Sequence, residues 1–232
     1  MRQDDRAIRD SMRARRAALS EAALQEAAAG LATHLTAPLE ACLTTHRAAH
    51  RAAHRAAHLT PSPAASPADC STGYPSPHAR IAGYLAIHGE MPLDPVLQHC
   101  RSHGAITFVP VVRGPAMRFI GIDADTPLTR GRYGIVEPAA GESIDPMALD
   151  VVLMPLVAFD GRGNRLGMGG GFYDRCFEAV AGRRRAGLAT PRLVGVAHAF
   201  QQVDTLTPAP WDVPLDQVVT DSGVVEPARN SR

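Results

Sequence analysis

Hydrophobic positions along the chain fall into two regimes, separated by a polar middle rich in histidine and proline. From Arg6 to about Leu35 the residues Ile8, Met12, Ala18, Leu19, Ala23, Ala27, Leu31 and Leu35 recur at roughly helical spacing among many alanines, which predicts helix. Ser20, followed by Glu21 and Leu24, marks a break with recapping, so two helices in succession are expected. Further along, runs of β-formers alternate with helical patterns. Ala79 to Ile87 reads as a strand, Leu93 to His103 as a helix closed by Gly104, and Ile106 to Val112 and Arg118 to Ile122 as strands. Asp150 to Met154 is a continuous apolar run stopped by Pro155, the character of a strand covered on both faces. A glycine-rich turn then leads into a helix from about Phe172 through Arg184, and Leu193 to Ala197 and Gln217 to Thr220 read as strands. This alternation implies an α/β fold, a mainly parallel sheet with helices on both faces. Ligands of such sheets sit at the carboxyl ends of strands, so the loops after Ile87, Val112, Met154 and Ala197 are where a site is expected.

The middle stretch, Thr44 to Pro77, breaks the pattern. HRAAHRAAHRAAH places His46, His50, His54 and His58 four apart, and Pro61, Pro63, Pro67, Pro75 and Pro77 follow in a Pro/Ser/Ala tract. A low-complexity insertion in a surface loop is the expectation, because such tracts bring no core to pre-organise ligands. The alternative is a transition metal shared by histidines on one helical face.

Composition narrows the class. The 232 residues, 45% of them apolar, suffice for one ordinary α/β domain spanning 1–232, interrupted at about 44–77. The polar, Arg- and Asp-rich first twenty residues lack an export signal, and no apolar run is long enough to span a membrane, so a soluble cytoplasmic protein is expected. Cys42, Cys70, Cys100 and Cys176 are far apart and form no CxxC pair, so they indicate neither a zinc site nor a disulfide framework. A net charge of +1 supplies no global field for nucleic acid or an acidic membrane, and neither partner is expected. All 24 Lys and Arg positions are arginine, so neither a Walker lysine nor a Schiff base is possible.

The chemistry concentrates in Met154 to Asp174, MPLVAFDGRGNRLGMGGGFYD. The chain leaves a buried strand, turns at Asp160 and Gly161, and runs from Arg165 through Leu166, Gly167, Met168, Gly169, Gly170 and Gly171 into a helix. Residues without a Cβ let successive backbone N–H groups converge on an anion, and a helix start adds further donors. A glycine cluster before a helix serves equally as a flexible turn, so the phosphate reading is one of two. Without lysine, a triphosphate would be neutralised by Arg165, a second arginine and a metal ion, with Asp174 placed to face the same phosphates through Mg²⁺.

Phe159-Asp160, then Gly163-Asn164-Arg165-Leu166-Gly167-x-Gly169-x-Gly171-Phe172-Tyr173-Asp174, resembles the signature of the 5-formyltetrahydrofolate cyclo-ligase family. Arg9, Arg13, Arg16 and Leu19-Ser20 resemble the family's basic first helix, Ile81 to Glu90 its substrate-binding strand and loop, Phe108-Val109-Pro110 a later strand, and Val194 to Thr220, with Trp211 to Asp216 inside it, its C-terminal stretch. The chain departs from the family at Asp5, where many members carry lysine, and at Met168 and Gly170, where basic residues are common.

The resemblance implies a three-layer α/β/α fold of the NagB/RpiA/CoA-transferase type. It also implies an ATP-dependent ring closure in which the γ-phosphoryl activates the formyl oxygen on N-5 and N-10 then attacks. By the same resemblance Arg9, Arg165 and the stretch Leu166 to Tyr173, Met168, Gly170 and Phe172 included, are the nucleotide site. Arg165 and Tyr173 are the catalytic candidates, Leu85, Glu90 and Tyr173 contact the folate, and Asp174 with Asp212 hold Mg²⁺. A carboxylate such as Glu90 can accept paired hydrogen bonds from a pterin. A monomer is expected. Two alternatives stand beside this reading: a related ATP-dependent enzyme with another substrate, for instance in thiamine salvage, and a non-catalytic module touching nucleotide or RNA through the first helix and Arg183-Arg184-Arg185. His198 is expected to be a hydrogen-bonded structural histidine, Trp211 a packing residue and Cys176 a buried helix residue.

Overall fold

The computed structural model describes residues 3–59, 78–131 and 135–227, with residue 3 and residues 45–59 described as backbone only. Two helices open the chain, α1 (Gln3–Ala17) and α2 (Glu21–Leu59). Between them the Ser20 hydroxyl accepts from the Ala23 amide at 3.2 Å, the capping contact that the sequence predicts at this break.

The helix α2 runs on through all three HRAA units to Leu59, 39 residues in all, which corrects the expectation of a loop over 44–59. Alanine and arginine are strong helix formers, and HRAA repeats supply little else. The compositional signal that suggested a loop was in fact a helical one. The proline tract, and the side chains of His46, His50, His54 and His58, lie outside the described residues.

The centre is an eight-stranded sheet built from β1 (Arg80–Ala82), β2 (Ile106–Arg113), β3 (Ala116–Ile122), β6 (Ser143–Ile144), β7 (Val151–Pro155), β10 (Arg192–Ala197), β11 (Gln217–Thr220) and β12 (Gly223–Val225). Its order is β12-β11-β10-β7-β1-β2-β3-β6. From β11 to β2 neighbouring strands are parallel, while β12, β3 and β6 add antiparallel margins. Two small ribbons complete the strands: β4 (Leu128–Arg130) with β5 (Val136–Pro138), and β8 (Ala158–Phe159) with β9 (Arg165–Leu166).

Side chains alternate across the sheet as the period of two requires. Ile81, Val151, Leu153, Val194 and Val196 pack on Leu31, Leu35, Leu39 and Leu43 of α2 and on Val96, Leu97 and Cys100 of α3 (Asp94–Ser102). Ala82, Val152, Met154, Leu193 and Ala197 face the other way, onto Phe177 of α4 (Phe172–Phe177) and Val180 of α5 (Val180–Arg185). The result is helix, sheet, helix in three layers. Burying each of these large apolar side chains contributes about 1.5–3 kcal/mol.

Close approach fixes α2 on the sheet. A Cβ at Gly30 would stand 2.4 Å from the Asp221 carbonyl oxygen in the β11–β12 turn, so only glycine lets the helix lie that near. The strand expected over Ala79 to Ile87 ends at Ala82, and the helix expected from Phe172 through Arg184 divides into α4 and α5. Beyond β1 the chain turns at His88 and Gly89, both with positive φ (49° and 71°).

Candidate active site

The carboxyl ends of β1, β2 and β7 and the segment following β10 surround a cleft of about 830 Å³, the side of the sheet that strand order predicts. This is the size of a site for a large organic ligand. Tyr84, Leu85 and Glu90 enter it after β1, Pro110 and Val112 from β2, Pro155 at the end of β7 with Leu156 after it, and Leu206 to Asp212 from beyond β10.

One wall is the glycine loop. The β8–β9 hairpin launches it, and the hairpin turn is tied to the buried Asp160 carboxylate. Oδ1 of Asp160 accepts from the Arg162 and Asn164 amides at 2.9 and 3.0 Å, while Oδ2 accepts from Asn164 Nδ2 and the Leu206 amide, each at 2.9 Å. Burial raises the pKa of this carboxyl, but the hydrogen bonds outweigh it and hold the group below the usual aspartate range. One side chain thus couples the glycine loop to the segment after β10 that lines the cleft beside it.

Beyond the hairpin, Gly169 and Gly171 have φ of 97° and 61°, conformations that other residues resist. All five residues from Gly167 to Gly171 line the cleft. Helix α4 behind them has only six residues, so its dipole adds less than a long helix would, and the backbone amides of the loop matter more.

The arginines differ in what they already hold. The Arg165 side chain is 6% exposed and donates to Asp174 Oδ1 at 2.5 Å and to the Val213 carbonyl. The Val213 amide also donates to Asp174 Oδ1, at 3.1 Å. Arg165 and Asp174 therefore form one unit, with Asp174 Oδ2 left without a protein partner among the described residues. Arg9 reaches across from α1 to donate through Nε to the Gly167 carbonyl at 2.8 Å, and its buried Nη1 has no partner among the described residues. Asp5, one turn earlier on α1, also lines the cleft. Asp212 Oδ2 accepts from the Ala209 amide at 2.7 Å, closing the turn at the cleft margin.

On the opposite side Glu90 is held by its own turn. Its amide donates to the Ile87 carbonyl at 3.0 Å and its Oε2 accepts from the Ile87 amide at 3.2 Å. Arg16, from α1, is 2% exposed and brings Nη1 to 3.8 Å from Glu90 Oε1. Burial raises the Glu90 pKa, with the Ile87 amide and the Arg16 charge opposing. The Tyr84 hydroxyl is spent on the Met91 carbonyl at 2.8 Å, whereas the Tyr173 hydroxyl is buried with no partner among the described residues. Burial, and next the Glu90 charge, push the phenol of Tyr173 upward, so it stays a protonated donor. An orphaned buried hydroxyl in a cleft is poised to meet a ligand.

The structure brings Arg9, Arg165, Leu166, Gly167 to Gly171, Phe172, Tyr173, Leu85, Glu90, Asp174 and Asp212 around one cavity. Sequence reasoning missed Arg16 as the partner of Glu90, and Glu137, which accepts from Arg113 at 2.6 Å beside the cleft. It also misjudged Trp211, which is 72% exposed at the cleft mouth rather than packed, and Cys176, which is half-buried. Proline on both sides, at 210 and 214, was the available signal that Trp211 sits on an extended loop. His198 is the structural residue expected: 2% exposed, with Nε2 donating to the Gly89 carbonyl at 3.1 Å. Arg184 closes on both Asp216 carboxylate oxygens at 2.7 and 2.6 Å, so it is a strut between α5 and the approach to β11.

Comparison with known proteins agrees with this geometry. Residues 74–221 match the 5-formyltetrahydrofolate cyclo-ligase family. The chain is 35% identical over 144 residues to the 5-formyltetrahydrofolate cyclo-ligase of Haemophilus influenzae, covering 60% of this chain and 74% of that one. It is 35% identical over 151 residues to the Escherichia coli K12 protein of the same name, covering 63% and 80%. The solution structure of Aquifex aeolicus 5,10-methenyltetrahydrofolate synthetase superposes with a TM-score of 0.65 at 24% identity, covering 98% of this chain and 95% of that one. A three-layer sheet with this order, a glycine loop opposite a buried glutamate, and a family match over most of the sheet converge on one assignment: the chain belongs to the 5-formyltetrahydrofolate cyclo-ligase family.

Proposed function

We propose that the chain closes the ring of 5-formyltetrahydrofolate to give 5,10-methenyltetrahydrofolate, consuming ATP and releasing ADP and phosphate. The observation that carries this reading is that the glycine loop, with Arg9 and Arg165, and the Glu90 carboxylate open onto the same cleft. Phosphate ligation and pterin recognition are thereby brought within reach of one another. A formamide oxygen leaves poorly; transfer of the γ-phosphoryl to it creates a phosphate leaving group, N-10 forms the new bond to the formyl carbon, and the C–O bond breaks to release phosphate. Such a reaction asks for positioning and charge neutralisation rather than a protein nucleophile.

In this reading the loop amides and the unpartnered Nη1 of Arg9 take the phosphates, and Arg165 acts as a fixed cation whose position Asp174 and Val213 set. Glu90 accepts from the pterin and the Tyr173 hydroxyl donates to the folate. Magnesium would enter with ATP. Asp174 and Asp212 each commit one oxygen to the protein and retain a second for the ion or its waters, an oxygen donor set suited to Mg²⁺. The metal would supply charge neutralisation of the triphosphate. Cys42, Cys100 and Cys176 are free thiols, in keeping with a reducing cytoplasm, and none of the described helices is long and apolar enough to cross a membrane.

The test is spectrophotometric. Purified protein with ATP, Mg²⁺ and 5-formyltetrahydrofolate should develop methenyltetrahydrofolate absorbance, and Glu90→Ala should raise the folate KM at least tenfold with little change in that for ATP. ATP hydrolysis without folate turnover, or equal damage to both KM values, would remove the assignment.

A further inference from the structure

On the face of the sheet covered by α2 and α3 lies a cluster that the cleft does not use. Glu40 of α2, His99 of α3 and His103, which caps α3, bring one ligand atom each to within 4.8 Å of the others. None of the three lines the cleft. We propose that they bind a divalent transition metal, of which Zn²⁺ suits the donors best, and that the ion clamps α2 to α3.

His99 Nε2 is the central observation. It is buried and 3.0 Å from Glu40 Oε1, yet it has no hydrogen-bond partner among the described residues. A nitrogen and a carboxylate oxygen side by side but not bonded to each other stand as two corners of a coordination shell do. Bonds of about 2.0–2.1 Å in a tetrahedron put neighbouring ligand atoms roughly 3.3 Å apart.

The third corner is oriented independently. His103 Nδ1 lies 2.9 Å from the His99 carbonyl and 3.2 Å from the Ser102 hydroxyl, contacts that fix the plane of the ring. A ring nitrogen tied to a backbone carbonyl is how proteins fix a metal-binding imidazole. The two imidazoles sit with centroids 4.1 Å apart, as spacing of four along a helix allows. Beneath them Leu39 and Leu43 of α2 pack with Val96 and Cys100 of α3, so the ligands stand on elements already fixed by the core. Two imidazoles and one carboxylate leave a fourth position for water, and imidazole with carboxylate favours zinc over magnesium or calcium.

The histidine repeat further along α2 could bind metal by itself, so the test uses the full chain with His46, His50, His54 and His58 all replaced by alanine. In that background, competition against a chromogenic chelator should show one Zn²⁺ bound per chain. Zinc at a hundred times its dissociation constant should raise Tm by about 5–10 °C. His103→Gln and Glu40→Gln, both at exposed positions and compatible with folding, should each weaken binding at least tenfold and abolish the Tm shift. Absence of stoichiometric binding in the alanine background would overturn the proposal and leave Glu40 and His99 as an ion pair only. Unchanged affinity in both glutamine variants would do the same.

Discussion

The pair formed by Arg16 and Glu90 is buried enough to be read quantitatively. Arg16 is 2% exposed and Glu90 11%, with 3.8 Å between Nη1 and Oε1. At an effective dielectric near 20 two charges at that distance attract by about 4 kcal/mol, and removing one member of a buried pair costs about 3–5 kcal/mol because the other is stranded. Arg16→Met keeps the volume of the stem and removes the charge. At pH 7 it should destabilise the protein by about 3 kcal/mol. Burial already raises the Glu90 pKa, and losing the arginine raises it further, so the stranded carboxylate takes up a proton more readily and the penalty should shrink toward pH 5. Glu90→Gln alone strands Arg16, whose Nε has no partner among the described residues, and should be costly in its turn. In the double variant neither charge remains. Urea denaturation of all four proteins gives the cycle, and the double variant should fall short of additivity by about 2 kcal/mol at pH 7. Additivity within about 0.5 kcal/mol, or a penalty independent of pH, would refute the electrostatic account of this pair.

Two further outcomes follow from single side chains. Burial, partly opposed by the hydrogen bond to the Gly89 carbonyl, lowers the His198 pKa from 6.5, so the unfolded chain takes up a proton first as pH falls. Stability should therefore decline below about pH 6.5; in His198→Gln that part of the slope should vanish, as denaturant midpoints across pH 5 to 7 would reveal. Asp160→Ala removes four hydrogen bonds to one buried carboxylate and should cost about 3–4 kcal/mol, or roughly 10 °C in Tm by calorimetry. Its carboxyl is held below the usual range, so this contribution is present above the ordinary aspartate pKa and is lost only as pH falls beneath it.

How much of this was legible in the chain depended on whether the signal was local. The buried strand at Val151–Pro155 and the glycine loop are contiguous stretches, and each announces itself within a dozen residues. The break at Ser20 was readable because a cap is a short-range contact. The union of Arg16 with Glu90 was not, since six arginines precede Ala17 and nothing local says which of them goes inward. The turn that carries Glu90 rests on a left-handed conformation at His88, which a histidine only sometimes adopts. Repetition hid the length of α2: HRAA units look like filler in a composition profile, yet alanine and arginine at every turn are a good helix. Asp174 shows a similar limit, because spacing placed it near the loop but only the folded chain shows its first commitment to Arg165.

The margins of the sheet have a consequence of their own. The sheet ends at one rim in a strand of three residues, Gly223–Val225, and at the other in one of two, Ser143–Ile144, laid on β3. Open rims are templates on which foreign strands can grow, and rims this short offer few free amides and carbonyls to start from. Cutting the chain back to Thr220 would strip the first guard and bare a four-residue parallel strand whose side chains are all buried. Shortened versions of the protein should therefore self-associate into β-rich aggregates, whatever their effect on chemistry.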